Sequence, residues 1–151
     1  MLLGAVLAFM AAPDLISAES IGLIAVGFVS ICLLSSANYV LNEILDAATD
    51  AEHPIKNKRP LAQKKLSLTG AYLLWLVLTF SGIGIASMVN PAYLIVAIIY
   101  WALALAYNVK PVRLKELPII DVIIESANNP LRLLFGWFAS MMVTLPPTSL
   151  I

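Results

Sequence analysis

Three long stretches of this chain carry no charged side chain: Ser20 to Leu41, Leu66 to Val89 and Pro91 to Tyr107. A helix crosses the hydrocarbon core of a bilayer in about 20 apolar residues, so the first two are long enough and the third is at the short limit. Lipid offers no partner for exposed backbone amides, which leaves helices as the form such stretches take. A further segment, Pro118 to Leu145, is apolar but carries Asp121, Glu125 and Arg132, and the start, Met1 to Ala12, is a short apolar run. That start has no basic residue ahead of it and is followed at once by another apolar segment, so it reads as a short or truncated membrane helix, not a secretory signal. The expected fold is all-α, a polytopic transmembrane bundle of about five membrane helices. Composition agrees: 61% of the residues are hydrophobic and only 12% charged, whereas soluble domains carry roughly a quarter charged residues.

The nine basic and nine acidic residues cancel, so their placement matters more than their sum. Lys56, Lys58, Arg59, Lys64 and Lys65 share one connecting loop, and Lys110, Arg113 and Lys115 share a second. Two membrane segments joined by Asn90-Pro91 separate these loops, so both emerge on one face. The opposite connections hold Asp14 and Glu19 but no cation. The positive-inside rule then places both basic loops in the cytoplasm of an integral protein of plasma-membrane type. No aromatic platform or nucleic-acid module accompanies the cations, so nucleic acid is not an expected partner. The single cysteine, Cys32, excludes an internal disulfide and reads as a small packed hydrophobe.

The chemistry concentrates at the end of the first long stretch, where Asn42, Asp46 and Asp50 follow one another at four-residue steps. On a helix that spacing makes a stripe drifting by about 40° per step. Carboxylates at a membrane helix end need water, a cation or a polar cavity. Oxygen ligands without His or Cys suit Mg²⁺, which takes one or two carboxylates and leaves positions for substrate phosphate oxygens. A prenyl diphosphate fits, with its anionic head on the metal and its tail between helices. The competing reading is that these residues only solvate a helix end. The loop that follows bears Lys56, Lys58 and Arg59 between Pro54 and Pro60, within reach of phosphate oxygens left free by the metal. Tyr107 begins the second cationic loop, with Arg113 and Lys115 behind it. In the last segment Asp121 and Glu125, then Asn128, Asn129 and Arg132, fall close to one helix face, as intramembrane ionisable groups facing a cavity do; a Glu125–Arg132 ion pair is the structural alternative.

Asn42-x-x-x-Asp46-x-x-x-Asp50, then Arg59-Pro60-Leu61, then Tyr107 and its basic loop resemble the first half of the UbiA family of intramembrane prenyltransferases, over roughly Ser35 to Gly136. The resemblance implies helices around a central cavity and a Mg²⁺-bound prenyl diphosphate, ionised to an allylic cation that an aromatic or lipid acceptor captures. It implies Asn42, Asp46 and Asp50 as holders of Mg²⁺ and diphosphate, with Asn42, Lys56, Lys58, Arg59, Arg113 and Lys115 on the phosphates. Asp46, Asp50 and Tyr107 would be the catalytic set. Glu43 departs from the Asp the family commonly has there, and no second aspartate-rich motif follows Arg132, so residues 1–151 are expected to form one incomplete UbiA-type bundle. Two alternatives stay open. Asp50-x-x-His53-Pro54-x-Lys56-x-x-Arg59-Pro60 with Arg113-Leu-Lys115, Pro118 and Asp121-Val122 is similar to the branch that transfers phosphoribose to a polyprenyl phosphate. A non-catalytic membrane subunit or fragment, with charges serving topology and packing, is the other.

Overall fold

A serine starts the longest helix. Ser17 Oγ accepts from Ser20 N at 3.1 Å, and Ser20 Oγ accepts from Ser17 N at 3.0 Å while donating to Leu15 O at 2.7 Å. This reciprocal cap satisfies two of the amides a helix start leaves open. In the computed structural model, which describes residues 1–142 and 144–147, five α-helices follow one another. They are α1 (Leu2–Ala11), α2 (Ala18–Glu52), α3 (Leu68–Val89), α4 (Pro91–Asn108) and α5 (Pro118–Ala139). Among the described residues there is no strand, as the uncharged stretches require. Three of the helices, α2, α3 and α4, are long and apolar enough to cross a membrane. Short α1 and charge-bearing α5 complete the bundle. At 35 residues, α2 outlasts its apolar part and carries Asn42, Asp46 and Asp50 as continuous helix.

The α3–α4 corner is set by Asn90. Its Oδ1 accepts from Tyr93 N at 2.8 Å, and its Nδ2 donates to Phe138 O at 2.7 Å on α5. Pro91 at the first helical position needs no amide partner. Inside the bundle, polar contacts join helices where lipid would leave them unsatisfied. Ser30 Oγ donates to Gly82 O at 2.8 Å, and Tyr93 OH donates to Gly27 O at 2.6 Å. The rings of Tyr93 and Phe135 pack at a tilt, centroids 5.0 Å apart, in a core that includes Leu34, Ala86, Ala97 and Trp137. The outer surface shows Leu73, Val77, Phe80, Ile95 and Ile98, an apolar exterior of the kind a bilayer solvates. Cys32 is exposed on α2 and not packed as expected, because its helix face turns away from α3 and α4.

Helices α1 and α5 approach backbone to backbone. A Cβ on Gly4 would fall on the Leu133 carbonyl, and one on Gly136 would fall on the Met1 carbonyl and 2.6 Å from Ala5 N. Neither backbone group can swing aside. The side chain of Glu125 lies outside the described residues, and with it the expected Glu125–Arg132 pair. Gly136→Ala is expected to destabilise the protein by about 1–3 kcal/mol, through forced separation of the two helices. Gly84→Ala, with nothing within 4 Å of its added Cβ, should be neutral or slightly stabilising. Thermal unfolding in detergent micelles compares them; equal midpoints would contradict this account of the seam.

Candidate functional site at the basic end of the bundle

The four-residue spacing on α2 brings Asn42 and Asp46 to a cavity of about 670 Å³ between α2, α4 and α5. One ammonium organises its mouth. Lys115 Nζ donates to Asn42 Oδ1 at 2.8 Å, to Asp46 Oδ1 at 2.8 Å and Oδ2 at 2.7 Å, and to Asn108 Oδ1 at 3.2 Å. Arg113 supports the same carboxylate, NH2 to Asp46 Oδ1, at 3.0 Å. Its Nε lies 2.8 Å from Glu116 Oε1, an ion contact too bent for a hydrogen bond. Arg113 holds a left-handed backbone, φ 33° and ψ 61°, which costs a non-glycine residue about 1 kcal/mol or more. That turn aims its side chain at Asp46 and starts the short helix carrying Lys115.

Asp50 goes elsewhere. The 40° drift, about one step further, takes it off the cavity wall, and its side chain is only 4% exposed against Arg59, with Oδ2 and NH1 2.6 Å apart. This pair ties the loop after α2 to the helix. Glu43 helps from the same side, accepting from Leu61 N at 3.0 Å, and His53 Nδ1 accepts from Ile55 N at 3.2 Å. Lys56 lines the cavity, whereas Arg59, Arg113 and the exposed Lys58 do not. Tyr107 lines it too and donates to Asp121 Oδ1 at 2.7 Å. The expected residues therefore divide. Asn42, Asp46, Lys115, Lys56 and Tyr107 face the cavity, Arg113 stands behind Asp46, Asp50 and Arg59 lock a loop, and Lys58 stands in solvent.

The wall also uses residues that the spacing did not single out. Asn108 is the last residue of α4, where an Asn reads as a helix-end residue. Asn38 lies one turn before Asn42, and Ser35 Oγ meets Tyr100 OH at 3.1 Å deeper in. Continuing the four-residue spacing backward from Asn42 would have found Asn38.

Among the described residues no three His, Cys, Asp or Glu side chains gather as a metal nest. The donor set still suits a hard cation. One carboxylate and two amide oxygens already converge on a positive centre at Lys115 Nζ, and Mg²⁺ needs one or two protein carboxylates when phosphate and water fill its other positions.

The family model described as the UbiA prenyltransferase family matches residues 1–151. The chain belongs to the UbiA prenyltransferase family. It is 30% identical over 122 residues to a decaprenyl-phosphate phosphoribosyltransferase of Mycobacterium tuberculosis, covering 81% of this chain and 39% of that protein. It is 31% identical over 146 residues to a protoheme IX farnesyltransferase of Xanthomonas oryzae, covering 93% of this chain and 46% of that one. A UbiA homolog from Archaeoglobus fulgidus, solved bound to DMAPP and Mg²⁺, shares the fold with a TM-score of 0.71 at 18% identity, over 89% of this chain and 46% of that one. The chain thus spans less than half the length of these relatives. Members of this family are membrane proteins, and the apolar helices here agree.

Arg59→Ala leaves the Asp50 carboxylate buried without its partner, at an expected cost of about 1–3 kcal/mol. Limited proteolysis should then cut faster between Lys56 and Lys65 while cleavage elsewhere is unchanged. An unaltered cleavage rate would mean that the pair does not hold the loop.

Proposed function

We propose that this UbiA-family chain forms the donor-diphosphate end of a membrane transferase, and that it moves phosphoribose from phosphoribosyl diphosphate to a polyprenyl phosphate. The observation that carries this reading is the chemistry of the cavity wall. Ser35, Asn38, Asn42, Tyr100, Asn108 and Asn128 offer hydroxyls and amides along its length, with Leu103, Ala104 and Ile124 as its aliphatic members. Such a wall matches the hydroxyls of a pentose and leaves an isoprenoid chain poorly solvated. The likeness to a phosphoribosyltransferase that acts on decaprenyl phosphate supports it.

Asn42 and Asp46 are the residues that would hold Mg²⁺, whose chemistry is to neutralise the charge gathering on the departing diphosphate. Lys115, held by Asn42, Asp46 and Asn108, is placed to bind the same phosphates, with Lys56 on the cavity rim. Arg113 keeps Asp46 oriented. In the transfer, an acceptor phosphate oxygen forms a bond to the anomeric carbon of the ribose. The bond from that carbon to the diphosphate oxygen breaks, and pyrophosphate leaves with the electron pair. Preorganised cations at the leaving group supply most of the rate advantage in such a displacement. Tyr107, fixed by Asp121, borders the reacting end. Both basic loops face the cytoplasm, where a soluble donor is available, and the polyprenyl acceptor comes from the bilayer.

A second reading, transfer of a prenyl group from a Mg²⁺-bound prenyl diphosphate to an aromatic or lipid acceptor, uses the same mouth. The likeness to a farnesyltransferase supports it, as does the DMAPP and Mg²⁺ bound to the A. fulgidus homolog. Membranes containing the protein, given labelled phosphoribosyl diphosphate and polyprenyl phosphate, are expected to yield a labelled lipid. No such product, together with turnover of a prenyl diphosphate, would select the second reading. In either case Asp46→Ala should abolish Mg²⁺-dependent pyrophosphate binding, and retained binding would remove the site from consideration.

A further inference from the structure

Arg132 makes none of the hydrogen bonds that gather around Lys115 and Asp46. It lies on the cavity wall of α5, as do Asp121 and Asn128 on the same helix. At the α-helical rise, its backbone is about 16 Å along the axis from Asp121, toward the end of the bundle opposite Lys115. Among the described residues it makes no ion pair or hydrogen bond. Its side chain is exposed at the cavity wall, so the guanidinium is open to an incoming anion. Its planar fork suits a phosphate, and Asn128, one turn earlier on the same face, adds an amide donor.

We propose that Arg132 and Asn128 bind a second phosphate, a monoester, at the α5 wall of the cavity, separate from the diphosphate gripped at Lys115. The inference rests on the phosphoribosyl reading. A donor with a 5-phosphate and an acceptor that is itself a phosphate bring two monoesters to the site, whereas a prenyl diphosphate and an aromatic acceptor bring none. Helical side chains lean toward the N-terminus of their helix, so the long side chain of Arg132 extends along α5 toward the mouth. A phosphate held there lies along the polar wall from the leaving group, which keeps the two anionic heads apart.

The test uses the purified, detergent-solubilised protein and three probes: inorganic pyrophosphate with Mg²⁺, ribose 5-phosphate, and a short-chain prenyl monophosphate. Arg132→Gln is expected to weaken one of the two monoesters by about tenfold or more, with Arg132→Lys intermediate and pyrophosphate binding unchanged. The monoester affected identifies the source, donor or acceptor. The proposal is overturned if the native protein binds neither monoester, if Arg132→Gln leaves both unaffected, or if both variants weaken pyrophosphate equally, which is the mark of a general structural defect. Failure of the phosphoribosyl reading shows separately, as native protein that binds prenyl diphosphate but not phosphoribosyl diphosphate.

Discussion

Lys115 reaches back from the turn before α5 into a ring of oxygens from α2 and α4, and the basic end of the bundle is arranged around that contact. Its ammonium answers the Asp46 carboxylate and the amide oxygens of Asn42 and Asn108. Without it, a carboxylate only 14% exposed would depend on Arg113 alone, and an uncompensated charge in such surroundings is strongly unfavourable. The same contact fixes where α5 begins, and therefore which of its faces meets the cavity.

The candidate site and the closest helix packing are separated along the axes of the helices. At one end, Gly4 and Gly136 let α1 and α5 touch backbone to backbone, and Asn90 fastens the α3–α4 corner to Phe138. At the other, polar side chains of α2, α4 and α5 line most of a cavity, with Leu103, Ala104 and Ile124 as aliphatic members of its wall. The loop after α2 is kept close by Asp50 with Arg59 and by Glu43 with the Leu61 amide. The cations Lys115, Arg113 and Arg59 at this end are each held by protein oxygens.

The family assignment and the geometry support each other at different depths. Membership in the UbiA family and the shared fold stand on the match over the whole chain and on the A. fulgidus neighbour. The structure places the cations differently from one another. Lys115 and Lys56 face the cavity, Arg113 orients Asp46, and Arg59 serves the loop.

Much was legible without coordinates. Uncharged stretches of bilayer length dictate helices, because a backbone in lipid must satisfy itself. The cations collect in two loops that one topology brings to the same end. The spacing of Asn42 and Asp46 places both on one face of α2. Other features needed the tertiary structure. Asp50 continues the stripe in sequence, but accumulated helical drift and the position of Arg59 turn it away from the cavity. Asn108 became part of the site only because α4 ends where Lys115 returns. Cys32, apolar in its context, faces outward because α3 and α4 pack on the other side of α2. Periodicity determines which residues share a face of one helix; which face meets which neighbour is decided by long-range contacts that no local pattern encodes.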